Sequence, residues 1–185
     1  EKKVAHGTRN FLKGPAMTEQ ETLTAIACGI EVVKDCRDKG YTLLATGEMG
    51  IGNTTTSAAV AAALTGLSVE QVTGKGAGLS EDGLKHKIDV IKRGLKLHSC
   101  AGADAFSVLS AVGGLDIAGL CGVCIGAGLH HIPVVLDGVI SVAAAFAAEQ
   151  MVSGVKEYLI ASHQSREPAA EFMMQKLGLN PVLYA

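Results

Sequence analysis

Three short apolar runs that alternate with helical patterns constrain the fold more than any other feature of the sequence. Residues 41–46, 132–136 and 158–161 have the length and apolar content of buried strands. They lack the two-faced alternation of an antiparallel meander, and helix-forming stretches separate them. Strands of this kind pair in parallel, with helices covering the sheet. We therefore predict an α/β fold, a Rossmann-like open parallel sheet with helices on both faces.

Capping signals predict where the helices begin and end. Thr18 followed by Glu21 forms a capping-box pattern, and a first helix follows it as far as Gly40. Ser80 begins another helix with acidic residues in its first turn, and Pro168 suits the first turn of a later one. The remaining predicted helices cover residues 53–65, 104–112, 117–129 and the Ala-rich stretch after residue 138, and residues 181–185 are a further predicted strand.

The length and charge of the chain limit its organisation and its class of function. The 185 residues suffice for one domain, which we place at residues 18–185, with residues 1–17 as an opening segment along it. A formal net charge of −2 gives no broad basic surface, so we expect no nucleic-acid partner. No apolar stretch reaches the ~20 residues that span a bilayer, and no signal peptide opens the sequence, so we expect no membrane partner. Five irregularly spaced cysteines favour reduced thiols and a cytoplasmic location.

The ends of the predicted strands indicate where a ligand would bind. Ligands of open parallel sheets bind beyond the carboxyl ends of the strands. The loops that follow Thr46, Leu136 and Ala161 should therefore converge on one site.

Residues 47–56, which join a predicted strand to a predicted helix, are the most informative segment for function. Their glycines let backbone N–H groups approach an anion, and the amino end of the helix adds partial positive charge, so a phosphate site is one interpretation. A tight turn without a ligand is the other. The lysine that follows the glycines of a P-loop is missing, which disfavours ordinary ATPase chemistry. Glu48 would repel a phosphate and suits a ring nitrogen or hydroxyl of the ligand.

A single CxxC pair, Cys121 and Cys124, precedes His130 and His131 and raises the question of a metal site. The Gly- and Ala-rich apolar surroundings favour small buried thiols in a packed helix, so we expect no metal. Thioredoxin-like redox chemistry is disfavoured because the pair lies within a helical stretch. His163 follows a predicted strand and either reaches the cleft or orders its own loop.

Seven separated motifs occur in order along almost the whole chain, at residues 7–10, 15–18, 47–55, 85–87, 112–120, 132–138 and 162–168. Together they resemble the nicotinate-nucleotide:dimethylbenzimidazole phosphoribosyltransferase family. The resemblance implies transfer of the phosphoribosyl group of nicotinate mononucleotide to dimethylbenzimidazole or a related aromatic base. The product would be an α-ribotide for the lower ligand of cobalamin or a related cobamide. It also implies that no cofactor is needed, and a dimer, either a homodimer or a heterodimer with a related chain.

The resemblance also implies roles for individual residues. Glu48 matches a second carboxylate that faces the bound base. The phosphate and ribose side corresponds to Gly50, Ile51, Asn53, Lys87 and Ser165. The nicotinate or sugar side corresponds to Gly76, Asp137 and Gly138.

Three of these residues have a structural alternative. Lys87 is either a solvated helix lysine or a phosphate ligand, and we favour the ligand because a dianion near a helix end needs a full positive charge nearby. Ser165 either caps the helix that Pro168 begins or contacts the ligand, and both roles are compatible. For Asp137 the simple turn residue is the preferred interpretation.

The resemblance places the principal catalytic base outside this sequence. In the family that base is a Glu in a Leu-Gly-Glu-Gly motif, shortly after the segment that matches residues 180–185, and most of the small helical domain is also expected to lie outside. Glu48 would then be a weak substitute base, and the chain would have little or no turnover of its own. The alternative function is a ribotide-binding or partner subunit without catalytic activity.

Overall fold

A three-stranded parallel sheet lies among the helices of residues 2–184, the part of the chain that the computed structural model describes. The strands are β1 (Leu44–Ala45), β2 (Val134–Leu136) and β3 (Leu159–Ala161), in the order β1-β2-β3. Leu44 lies opposite Val134, and Val134 lies opposite Leu159. The predicted α/β fold with a parallel sheet is confirmed.

The helices that surround the sheet account for most of the chain. They are α1 (Glu19–Asp38), α2 (Asn53–Thr65), α3 (Val69–Val72), α4 (Glu81–Leu97), α5 (Ala105–Val112), α6 (Leu115–His130), α7 (Val139–Met151) and α8 (Pro168–Leu177), and a 3₁₀ helix covers Val155–Tyr158. Within residues 2–184, none of these helices is both long and apolar enough to cross a bilayer.

The predicted helix starts are confirmed by the capping contacts. Thr18 Oγ1 accepts the Glu21 N–H at 3.1 Å while the Glu21 carboxylate accepts the Thr18 N–H at 2.7 Å, which completes the capping box of α1. Ser80 accepts the Gly83 N–H at 3.1 Å and begins α4. These contacts join residues only three apart, so local sequence is enough to specify them.

The strands are shorter than their apolar runs predicted. Only two residues of the predicted 41–46 run form β1, and Tyr41 and Leu43 are more than half exposed. The predicted strand at 181–185 is reduced to one parallel bridge between His163 and Leu183, and Ala185 lies outside the described residues. An apolar run becomes a strand only where a neighbouring backbone pairs with it, and that neighbour lies far away in sequence.

Two short elements, α3 and the 3₁₀ helix, were not predicted. Each has four residues, which is about one turn and too short to show a periodic apolar pattern. The opening segment is irregular but is tied down at its end. The backbone N–H groups of Ala16 and Met17 each donate at 2.9 Å to α5, and both side chains are buried.

Helices α1 and α6 pack backbone against backbone. A Cβ atom added to Gly29 would overlap the carbonyl oxygen of Gly119, and one added to Gly122 would overlap the carbonyl oxygen of Ile26. Glycine is therefore required at both positions for the helices to approach this closely. On its other side α6 contacts α7, whose residues 139–148 are all buried.

We predict that Gly122→Ala lowers the free energy of unfolding by about 1–3 kcal/mol, because the added methyl group has to displace backbone rather than a flexible side chain. Gly128→Ala is the matched control in the same helix. An added Cβ there has no neighbour closer than 3.8 Å, so the higher helix propensity of Ala should raise stability by up to about 1 kcal/mol. Urea unfolding followed by circular dichroism measures both, and equal stabilities would contradict the close packing.

Candidate functional site

The loops after β1 and β2, two of the three loops predicted to converge, meet at the carboxyl edge of the sheet. The Thr46 hydroxyl lies 3.1 Å from the Val135 carbonyl oxygen and 3.0 Å from Ser141 Oγ. It also accepts the Asp137 N–H at 3.1 Å. One hydroxyl therefore joins the end of β1 to the loop that follows β2.

A cleft of about 460 Å³ opens beside this edge. Its walls are the opening segment at residues 5–8, the glycine-rich loop at residues 49–52, the first turn of α2, and residues 114–116 at the start of α6. No side chain caps α2, because its N-cap residue is Gly52. The amino end of α2 therefore faces the cleft with its partial positive charge available to a ligand.

Two carboxylates share one amide at the start of α2. The Asn53 side-chain amide donates to Glu48 and, at 2.9 Å, to Asp116 Oδ2. Burial raises the pKa of Glu48 above its usual value, and the charges of Asp116 and Asp137 raise it further, against the hydrogen bond from Asn53. This corner of the cleft is therefore acidic, with one carboxyl group shifted toward its protonated form.

The absence of a side chain at Gly50 leaves room for Asn53 and Asp116 to form their hydrogen bond. A Cβ atom there would lie 2.6 Å from both Asn53 Nδ2 and Asp116 Oδ2. The neighbouring Ile51 lines the cleft, and its side chain is fully exposed. Asp116 was not singled out from the sequence, although it lies in one of the motifs that carry the family resemblance.

Lys87 is buried, with 5% of its surface exposed, so the solvated alternative is wrong. Its ammonium group donates to Thr54 Oγ1 and to the Gly74 carbonyl oxygen, each at 3.0 Å. An ammonium group has three N–H donors, which leaves one for a ligand beyond these two contacts. Burial lowers the pKa of Lys87, and the charge of Glu167 opposes that shift.

The other site residues of the sequence prediction are distributed around the same edge. Gly76 adjoins Lys87, because a Cβ atom on it would lie 2.8 Å from Thr54 Oγ1 and 3.6 Å from Lys87 Nζ. Ser165 Oγ accepts the Glu167 N–H at 3.3 Å, but Glu167 is the N-cap residue of α8 and no side chain caps that helix, so Ser165 stabilises the turn before α8 rather than capping it. Asp137 is an exposed residue of the β2–α7 connection, and Gly138 is the N-cap of α7.

A family model described as a phosphoribosyltransferase matches residues 1–185. The chain belongs to this phosphoribosyltransferase family. It is 47% identical over 182 residues to the nicotinate-nucleotide–dimethylbenzimidazole phosphoribosyltransferase of Clostridium acetobutylicum, an alignment that covers 98% of this chain and 52% of that protein. The protein of the same name from Acetivibrio thermocellus is 48% identical with the same coverage.

Solved structures agree with this membership. The crystal structure of CobT from Thermus thermophilus superimposes with a TM-score of 0.93 at 40% identity, covering 100% of this chain and 55% of that one. The chain spans about half the length of the curated relatives it matches. The family identified from the ordered motifs is confirmed.

The cysteine pair lies on the buried side of α6. Cys121 and Cys124 are fully buried, and burial raises the pKa of the Cys121 thiol to about 12 and that of Cys124 as well. His131 Nδ1 lies 2.6 Å from the Tyr158 hydroxyl, and His163 Nδ1 lies 2.9 Å from Ser162 Oγ in its own loop. Among residues 2–184, no three His, Cys, Asp or Glu side chains are grouped to hold a metal ion.

We predict that Asp116→Asn lowers the pKa of Glu48, because it removes the negative charge that raises this pKa more than Asp137 does. Asp137→Asn should lower the pKa in the same direction but less, and Asp38→Asn at the exposed end of α1 should leave it unchanged. A carboxyl ¹³C NMR titration of Glu48 measures all three. An unchanged Glu48 pKa in Asp116→Asn would show that the two carboxylates do not interact.

Proposed function

We propose that this chain forms the phosphoribosyl-binding part of an enzyme that transfers the phosphoribosyl group of nicotinate mononucleotide to dimethylbenzimidazole or a related base. The observation that carries the proposal is the opposite charge on the two sides of the α2 amino end. Asn53 contacts carboxylates, whereas the next residue, Thr54, contacts the buried ammonium group of Lys87. A ribotide is complementary to this arrangement, because its anionic phosphate suits the ammonium side and its polar ring suits the carboxylate side.

The phosphate would bind on the Lys87 side. The uncapped amino end of α2 and the free N–H of the Lys87 ammonium group both attract an anion. Gly76 leaves room beside the ammonium group, although the family resemblance assigns it to the nicotinate or sugar side, and the same resemblance assigns Ser165 to the phosphate side. The Thr54 hydroxyl accepts from Lys87 and so retains its own proton for donation to a phosphate oxygen.

The reacting base would lie on the carboxylate side. The ribosyl C1–N bond of the nucleotide breaks and nicotinate leaves, while a new C1–N bond forms to the azole, whose proton passes to a carboxylate. Nicotinate leaves from a pyridinium and needs little help from an acid, so a general base is the main requirement. Glu48 would serve as the secondary carboxylate, because a raised pKa makes a carboxylate a better proton acceptor near neutral pH.

The proposed product is an α-ribotide for the lower ligand of cobalamin or a related cobamide, made without a cofactor or a metal. Assembly as a homodimer or with a related chain, and a cytoplasmic location, are parts of the proposal that the family resemblance and the five free thiols support. Asp137 and Gly138 are proposed for the nicotinate or sugar side because the family resemblance assigns them there, and the charge of Asp137 raises the pKa of Glu48.

A ribotide-binding or partner subunit without catalysis is the second candidate. The hydrogen bond from Asn53 favours it, because this bond opposes the raised pKa of Glu48 and so its action as a base, whereas the anion-binding contacts of Lys87 do not depend on Glu48. Calorimetry with nicotinate mononucleotide, combined with a turnover assay, separates the two candidates, because only the enzyme releases nicotinate.

We predict that Lys87→Met weakens binding of nicotinate mononucleotide by about tenfold or more and changes binding of free dimethylbenzimidazole by less than about twofold. Methionine fills the buried space but loses the charge-assisted contact to phosphate. Lys85→Met is the matched control, because that lysine on the same helix is exposed. Calorimetry measures both ligands, and equal losses for the two would contradict the phosphate assignment.

We further predict that the 185-residue chain binds nicotinate mononucleotide but turns it over slowly or not at all. A chain extended through a Leu-Gly-Glu-Gly segment and restored at its amino end should recover turnover, since it would regain a general base and the wall that orients the azole. The extended chain with Gln in place of that Glu should recover binding alone. Comparable turnover by the unextended chain would place the base within it, and Glu48→Gln would then be the first variant to test.

A further inference from the structure

The carboxylate of Glu167 lies against residues 73–79. We call this segment the glycine loop, and it is distinct from the glycine-rich loop at residues 49–52. Its Oε1 accepts the Gly76 N–H at 2.9 Å. A Cβ atom added to Gly74 would overlap the carboxylate and lie 2.7 Å from Glu167 Cδ, so the carboxylate rests on the bare backbone of the loop. Although Glu167 is the N-cap residue of α8, its side chain makes no capping hydrogen bond to that helix. The side chain therefore serves the glycine loop rather than its own helix.

The opposite side of the glycine loop holds Lys87. The Lys87 ammonium group donates to the Gly74 carbonyl oxygen at 3.0 Å, and a Cβ atom on Gly76 would lie 3.6 Å from Lys87 Nζ. Gly74 and Gly76 thus each contact the Glu167 carboxylate on one side. On the other side, the Gly74 carbonyl oxygen accepts a hydrogen bond from Lys87, and Gly76 lies beside Thr54 Oγ1 and Lys87 Nζ. The loop is clamped between the two side chains, with no Cβ atom at either point of contact.

The clamp also brings two opposite charges close together. The negative charge of Glu167 favours the charged form of Lys87, while burial disfavours it. In the described part of the chain the two groups form no direct ion pair within 4.0 Å, so the glycine loop separates them. Any movement of the loop would therefore change the hydrogen bonds of the ammonium group.

We propose that Glu167 is a positioning residue that holds the glycine loop in place and, through the Gly74 carbonyl group, fixes the ammonium group of Lys87 beside Thr54 at the start of α2. The expected effect on binding of the substrate phosphate rests on the proposed function, whereas the expected effect on the mobility of the Lys87 side chain does not. Glu167 comes from α8, which follows β3, so the third strand of the sheet contributes to the site through this contact.

The test compares three variants of the whole 185-residue chain. Glu167→Ala removes the acceptor, whereas Glu167→Gln keeps an oxygen that can accept the Gly76 N–H. Glu171→Ala removes an exposed carboxylate one turn further along α8 and is the matched control. Two NMR readouts need no substrate: hydrogen exchange of the Gly76 amide, and the chemical-shift separation of the two Lys87 ε-methylene protons, which collapses when a side chain becomes mobile.

We expect Glu167→Ala to speed Gly76 exchange by about fivefold or more, as loss of one hydrogen bond allows, and to collapse the Lys87 proton separation. Glu167→Gln should restore most of both signals, and Glu171→Ala should change neither. Unchanged Gly76 exchange, or unchanged Lys87 signals, in a folded Glu167→Ala protein would overturn the proposal. A lower melting temperature with both NMR signals unchanged would show a merely structural role and would also overturn it.

Binding of nicotinate mononucleotide separates this proposal from the proposed function. If the unaltered chain binds the nucleotide, Glu167→Ala should weaken that binding by about fivefold and Glu167→Gln should weaken it less. Equal affinity of the unaltered chain and these two variants would overturn the positioning role. If the unaltered chain does not bind the nucleotide while Glu167→Ala still releases Lys87, the proposed function fails and the role of Glu167 is supported.

Discussion

The backbone contact between α1 and α6 is the constraint on which the site depends. Gly29 and Gly122 allow the two helices to approach until carbonyl oxygens occupy the space of the missing Cβ atoms. This contact holds α6 in place, and with it Asp116 in its first turn, which accepts a hydrogen bond from Asn53 at the start of α2. Helix packing thus sets a polar contact within two turns of it on α6, because a packed helix moves as a rigid unit.

Desolvation shifts the pKa in opposite directions on the two charged sides of the α2 amino end. Burial raises the pKa of Glu48 and lowers that of Lys87, so it moves both groups toward their neutral forms. The hydrogen bond from Asn53 opposes the shift of Glu48, the charge of Glu167 opposes that of Lys87, and Thr54 accepts a hydrogen bond from the ammonium group. Two adjacent residues of α2 therefore keep opposite charges apart across a short distance, which is the arrangement that a ligand with an anionic end and a polar ring requires.

The sequence predicted the segment that forms the site better than the contacts within it. The glycine-rich loop, Glu48 and Lys87 were identified by local pattern and by family resemblance, and Lys87 is a buried residue as the ligand interpretation requires. Asp116 and Glu167 were not singled out, because their partners Asn53 and Gly76 are 63 and 91 residues away in sequence. An acidic residue in the first turn of a helix is so common that its pattern alone does not indicate a site.

The sequence by itself determined the helix starts and the order of the elements. The Thr18 and Ser80 caps are completed by residues three positions away, so local chemistry is enough to specify them. Only the tertiary structure decided how much of each apolar run becomes a strand and which lysine of α4 is buried. Lys85 and Lys87 are two residues apart on one helix, yet one is exposed and the other is enclosed by α2 and the glycine loop. Strand pairing and burial depend on surfaces supplied by distant parts of the chain, and that information appears only when those parts are packed together.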